Sequence, residues 1–464
     1  MEYGYKVKNA WEAATTDDKQ AVFPFTEKYK VFLDTAKTER EAAKEAVRLA
    51  REKGFVSIAE VKSLKKGDKI YADNKGKSVL FAVIGEDTSK GLNIVAAHID
   101  APRIDLKQNP LYEDLELAFF KTHYYGGIKK YQWTTVPLAL HGVVVKGDGS
   151  KTEIIIGEDD SDPVFCITDL LPHLAQEQMN KVMKDAISGE ALNILIGSKP
   201  NSDEKDKVKG ELLRLICEKY DIIEEDFISA ELEIVPSAKA RDVGFDRSLI
   251  GAYGQDDRVC GYTALAGILE VESPSKTAIC ILADKEEVGS MGNTGMRSRF
   301  FEDTVAKIIS MQHSSYNDLL VREAFASSLC LSADVGAAVD PNYKEVSELA
   351  NAPRINYGVM MTKYTGSRGK SGSNDASAEF VGIVRKMLND NNIVWQIGEL
   401  GKVDVGGGGT VAQYIANLNI ETIDCGVPLL SMHSPFEIAG KIDIYMAYRA
   451  YKAFYSIDNK FTVK

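Results

Sequence analysis

Lys276-Thr277-Ala278-Ile279-Cys280-Ile281-Leu282-Ala283-Asp284-Lys285-Glu286-Glu287 is the stretch whose reading decides the fold. Its first eight residues, apolar from Ala278 onward, form a run of strand length with no polar alternation, the pattern of a strand covered on both faces. It then breaks into three acids and a lysine. Two more runs end the same way: 92–97 leads into His98-Ile99-Asp100, and 328–333 into Asp334. Each short buried strand thus delivers a carboxylate or an imidazole at its carboxyl end, where an open α/β sheet places its ligand crevice. A further apolar run, 78–84, reads as the pairing partner of 92–97, with His98 just past the end of the latter. Helical stretches at 259–271 and 301–311 separate the runs, and 37–53 reads as an amphipathic helix closed by Gly54. Alternating strands and helices predict an α/β fold with helices on both faces of the sheet.

The chain has 464 residues, more than the roughly 250–300 that one hydrophobic core supports, so two domains are expected. Between 105 and about 236 the character changes. Strand-like segments (138–145, 151–156) are followed by polar 176–185 and loop-like 197–206, and no metal-type motif falls among them. The expected division is therefore a catalytic domain in two parts, 1–105 and 237–464, split by an insertion at 106–236. A net charge of -12 argues against a nucleic-acid surface, which needs clustered Lys and Arg. The lysine-bearing stretches 62–77 and 202–209 are mixed with Asp, Gly and Ser and read as solvated surface. Six scattered cysteines form no C-x-x-C pair, residues 1–20 lack the apolar core of a signal peptide, and no 18-residue apolar run occurs. A cytoplasmic protein without a membrane segment is expected.

The chemistry lies in His98, Asp100, Asp256-Asp257, Glu286-Glu287, Asp334 and His433. Two imidazoles and several carboxylates can hold two divalent cations and leave one carboxylate free to move a proton, the requirement for metal-assisted hydrolysis. Asp256 or Asp257 would bridge the ions. Of the adjacent glutamates, one would ligate and the other act as base, because neighbouring side chains at a strand end point different ways. Asp100 would accept the second ring N–H of His98 and so set its tautomer.

Matched in order, Ala97-His98-Ile99-Asp100-Ala101-Pro102-Arg103, Gln255-Asp256-Asp257-Arg258, Asp284-Lys285-Glu286-Glu287-Val288-Gly289-Ser290, Ser332-Ala333-Asp334 and Ser431-Met432-His433-Ser434-Pro435 resemble the aspartyl aminopeptidase and vacuolar aminopeptidase I family of di-zinc exopeptidases. The resemblance runs from about residue 95 to 437. It implies a mixed-sheet catalytic domain with an inserted β-rich dimerisation domain, and removal of N-terminal residues from short peptides. It assigns His98, Asp256 and Asp334 to one metal, Asp256, Glu287 and His433 to the other, and the base to Glu286, with a cis peptide after Asp256. The metals would be zinc, with cobalt and manganese suited to the same donors. Leu171-Pro172-His173-Leu174-Ala175 matches the motif that lends a histidine to a neighbouring subunit's site, making His173 the oxyanion donor in trans within a dimer-based dodecamer. His123, His141 and His313 match nothing. Residues 363–372, Lys-Tyr-Thr-Gly-Ser-Arg-Gly-Lys-Ser-Gly, depart from the basic motif of the aspartyl branch, so acidic and neutral or broad N-terminal preferences both stay open.

Rival readings fail on spacing. Gly369-Lys370-Ser371 mimics the end of a phosphate loop, but Tyr364 stands where its first glycine belongs. Glycine-rich 406–409 instead precedes a helix at 411–416. There is no G-x-S-x-G elbow and no H-E-x-x-H. An inactive metal-binding assembly protein is the alternative of a different class, which a peptidase assay with and without chelator separates.

Overall fold

The computed structural model describes residues 3–4, 6–201 and 206–458. The expected loop 197–206 and lysine-bearing stretch 202–209 lie partly on 202–205, outside the described residues. The chain forms two compact units: Met1–Asp100, Ala240–Met432 and Glu437–Lys464 in one, Ala101–Lys239 and His433–Phe436 in the other.

The first unit is built on a nine-stranded mixed sheet in the order Val56–Ser57, Lys69–Asn74, Ser78–Val83, Thr277–Ala283, Leu92–His98, Leu329–Ser332, Glu421–Gly426, Val359–Thr362, Trp395–Ile397. Its central strands are buried throughout because successive side chains enter different cores. Ala278, Cys280 and Leu282, with Val95 and Ala97, pack into one core. Ile279, Ile281 and Ala283, with Ile94 and Ala96, pack into the other. Helices Gln255–Ile268 and Lys441–Tyr455 contribute to the first core, Phe300–Gln312 and Asp318–Ala326 to the second. That is why the sequence runs are continuously apolar.

One expectation is corrected. Runs 78–84 and 92–97 are not partners, because Thr277–Ala283 lies between them, antiparallel to Ser78–Val83 and parallel to Leu92–His98. Apolar runs alone do not name their neighbour, and a parallel neighbour arrives by a long crossover. His98 is also the last residue of its strand, paired with Ala283. The helix expected at 37–53 spans Glu39–Glu52, started by a Thr38–Glu41 capping box. Gly54 follows it at φ +84°, a left-handed position that suits glycine.

The second unit holds an antiparallel six-stranded sheet in the order Lys151–Ile156, Leu138–Val145, Ala230–Pro236, Arg103–Asp114, Leu117–Tyr125, Ile194–Gly197. It begins at Ala101 rather than 106 because Arg103–Asp114 already pairs within this sheet. The four residues His433–Phe436 group with it, although the strands that flank them, Pro428–Leu430 and Glu437–Gly440, form a hairpin in a five-stranded sheet of the first unit.

Candidate active site

Parallel strands Leu92–His98, Thr277–Ala283 and Leu329–Ser332 end along one edge, with Ala283 opposite His98 and Ser332 opposite Ala96. Their register sets His98, Glu286-Glu287 and Asp334 along this edge by backbone geometry alone. Asp334 sits so close to the next strand that a Cβ on Gly426 would fall 1.8 Å from its carbonyl oxygen, so only glycine fits there. Asp256 and Asp257 open helix Gln255–Ile268 with non-helical backbone angles, and the Asp256–Asp257 peptide is cis, as the resemblance implies.

His98, Asp256 and Asp334, all buried, each offer a ligand atom within 4.8 Å of the others'. Asp256, Glu287 and His433 offer a second such set, with Asp256 common to both. The His98 ring is held through Nδ1, 3.0 Å from the Asp100 backbone carbonyl. A carbonyl only accepts, so Nδ1 carries a hydrogen, and Nε2 is the ring atom that faces Asp256 Oδ1, 3.3 Å away. His433 is held likewise, its Nδ1 donating to the Gly127 carbonyl at 2.7 Å.

Asp100 does more than the sequence reading allowed. The ring hydrogen goes chiefly to its backbone carbonyl, and its carboxylate Oδ1 stands 3.3 Å from Nδ1. That carboxylate instead receives the amide N–H groups of Glu286 (3.0 Å) and Glu287 (3.2 Å), fixing the turn that aims both glutamates. Glu437, missed in the sequence, accepts the Asp256 N–H at 3.0 Å and is buried. Its only signal was an acid four residues beyond His433. Arg258, part of the matching motif but given no role there, is fully buried and donates to the carbonyls of Ile99 (3.2 Å) and Lys37 (3.0 Å) beside the Asp257 turn.

The electrostatics call for cations. Burial pushes the Asp334 carboxyl well up, and the charges of Asp257, Glu286 and Asp256 push it further. Burial and Asp256 likewise raise Asp257, although His98 opposes them. Burial alone would lower the His98 imidazole, but hydrogen bonding to Asp100 and Asp256 holds it well above its usual value. Several carboxylates in a dry site repel one another unless positive charge is shared among them. Imidazole nitrogen with carboxylate oxygen suits zinc, so the residues present fit the metal.

The remaining histidines have ordinary partners: His141 with Glu158 (3.1 Å), His313 with Asp87 (2.9 Å), and His123 with the Tyr124 carbonyl (2.7 Å). His173 lies in the second unit and is exposed, among exposed Leu170, Leu171, Leu174 and Met179.

Residues 32–455 match the family described as aminopeptidase I zinc metalloprotease (M18). The chain belongs to the M18 aminopeptidases. A relative from Clostridium acetobutylicum named as an M18 family aminopeptidase 1 is 53% identical over 96% of this chain and 97% of its own length. One from Thermotoga maritima is 47% identical over 96% and 98%. A crystal structure of an M18 family aminopeptidase from Thermotoga maritima superposes with a TM-score of 0.95, at 46% identity, covering 98% of this chain and 100% of that one. A Saccharomyces cerevisiae enzyme, solved as a dodecamer, shares the fold with a TM-score of 0.75 at 20% identity, covering 94% of this chain and 97% of that one. This M18 aminopeptidase is thus a zinc metallopeptidase that removes N-terminal residues. The mixed α/β architecture expected from the alternating runs is the family's.

Proposed function

We propose that this M18 aminopeptidase works with two divalent cations per subunit, zinc by preference and cobalt or manganese as substitutes. His98, Asp256 and Asp334 would hold one and Asp256, Glu287 and His433 the other. The observation that carries this reading is that Asp256 belongs to both donor sets, as a pair of ions roughly 3.5–4 Å apart requires. When bound, such ions acidify a water and polarise the peptide carbonyl. Glu286, outside both sets, takes the proton from the attacking water and hands it to the leaving amine. Asp100 keeps Glu286 and Glu287 apart in their tasks by holding their amides. His173, on its exposed apolar loop, donates to the developing oxyanion of a neighbouring subunit's site within a dimer-based homo-oligomer, a dodecamer in our reading.

For the N-terminal residue we favour a neutral or broad preference over an acidic one. Of the three candidates to meet a substrate carboxylate, Lys363, Arg368 and Lys370, the two lysines both bind Asp375, at 2.5 and 2.8 Å. Their charges are offset within the chain, which weakens any pull on an acidic side chain. Short peptides are the substrates. The six cysteines form no disulfide, which suits a reducing cytoplasm. No helix among the described residues is long and apolar enough to cross a membrane.

A panel of aminoacyl fluorogenic substrates, run with zinc, cobalt or manganese returned to chelator-treated enzyme, tests both points. Leucyl-type substrates should be cut faster than aspartyl or glutamyl ones, and untreated activity should vanish with chelator. Faster cleavage of the acidic pair would reverse the specificity reading. Activity should also fall as the pH drops, because imidazole and carboxylate must lose their protons to bind metal. A profile flat to pH 4 would contradict the donor set.

A further inference from the structure

Independently of the active site, the inserted unit contains a cavity of about 200 Å³ between its six-stranded sheet and helix Lys207–Tyr220. Its walls are apolar: Phe120, Leu140, Val144 and Ile154 line it from the sheet, Leu212 and Leu215 from the helix. The helix stands off the sheet. Of its fourteen residues only Val208 and Glu211 are buried, although its apolar side faces the cavity. It cannot simply collapse, because both ends are tied. Glu113 accepts the amides of Val208 (2.9 Å) and Lys209 (2.8 Å), and Lys146 holds Asp221 just past the far end at 2.7 Å.

An unfilled apolar space of this size runs against the close packing of protein interiors. It is somewhat larger than the roughly 150 Å³ engineered cavity that stays dry and binds benzene. The one charged group on its lining is Lys219. Its ammonium lies 5.1 Å from the Tyr220 ring centroid, while the carboxylates next to it in that turn bind elsewhere, Glu218 to Arg214 at 2.5 Å and Asp221 to Lys146 at 2.7 Å. From these features we infer that the inserted unit binds a small amphiphile with an apolar body and one anionic head, a medium-chain carboxylate of about eight carbons on the volume comparison with benzene. The tail lies between sheet and helix and the carboxylate meets Lys219.

Octanoate is the probe, titrated calorimetrically into the zinc-loaded full-length enzyme. Saturable binding is expected, lost when Val144→Phe fills the cavity from the sheet or Leu215→Trp fills it from the helix. Lys219→Ala should weaken octanoate by about two- to fivefold, the range of an exposed ion pair, and leave octanol unchanged. Two variants from opposite walls guard against one that fails to fold, and retained peptidase activity reports that each has. No octanoate binding to the wild type would overturn the inference, as it would if a second copy of the chain fills the gap. Binding unchanged in both filled variants would place the ligand elsewhere, the active site included, and overturn it equally. An unchanged octanoate affinity in Lys219→Ala would refute the anionic head.

Discussion

Glu286→Gln should lower kcat by about 10²–10⁴, the usual contribution of a positioned general base, while metal content measured by elemental analysis stays at the wild-type level. The substitution removes the proton acceptor and keeps size and polarity. The backbone amide that binds Asp100 is untouched, so the turn is retained. Glu287→Gln provides the contrast: it weakens a donor in the second set and should release metal as well as activity. If the two variants exchange phenotypes, base and ligand have been assigned the wrong way round. Adjacent glutamates can be told apart only this way, because both sit in one turn at the end of one strand and both amides go to the same carboxylate.

The second large effect concerns His173→Phe, which should cost roughly 10²–10³ in kcat with little change in metal content if the imidazole is an oxyanion donor. A surface histidine of no function would leave the rate alone. The variant also tests whether the residue acts across subunits. When His173→Phe and Glu286→Gln chains are co-assembled, a mixed pair contains one site with an intact base from the first chain and an intact histidine from the second. Activity well above that of either parent assembly is expected. If His173 served its own chain, every mixed site would lack one group and no recovery would appear. Unmixed controls at the same protein concentration separate recovery from simple dilution.

Much of this was legible in the sequence because the central strands are covered on both faces, which writes them as unbroken apolar runs ending in ligand-type residues. Run 276–283 shows this best: the strand and its end could both be read at once. What could not be read was adjacency. Residues 78–84 and 92–97 look like partners, and nothing in their composition announces that Thr277–Ala283 comes between them. Side-chain direction was also hidden. Asp100 was recognised as supporting His98, yet its two amide contacts to the glutamates depend on how two strand ends meet. The roles of Glu437 and Arg258 escaped notice because a buried acid bound to an amide and a buried guanidinium bound to carbonyls look in sequence like any surface charge.

The parallel strands that end at His98, Ala283 and Ser332 have a kinetic consequence. Their pairings join segments from widely separated parts of the chain, and contacts of that kind are slow to form because loop closure precedes any gain from them. The donor set His98, Asp256 and Asp334 therefore comes together only once distant segments have met. An unfinished chain would offer scattered, weak ligands instead of a tight pocket. With these residues holding the metal as proposed, its uptake would be a late event and a reporter of completed assembly, and peptide cleavage would wait until the sheet is whole.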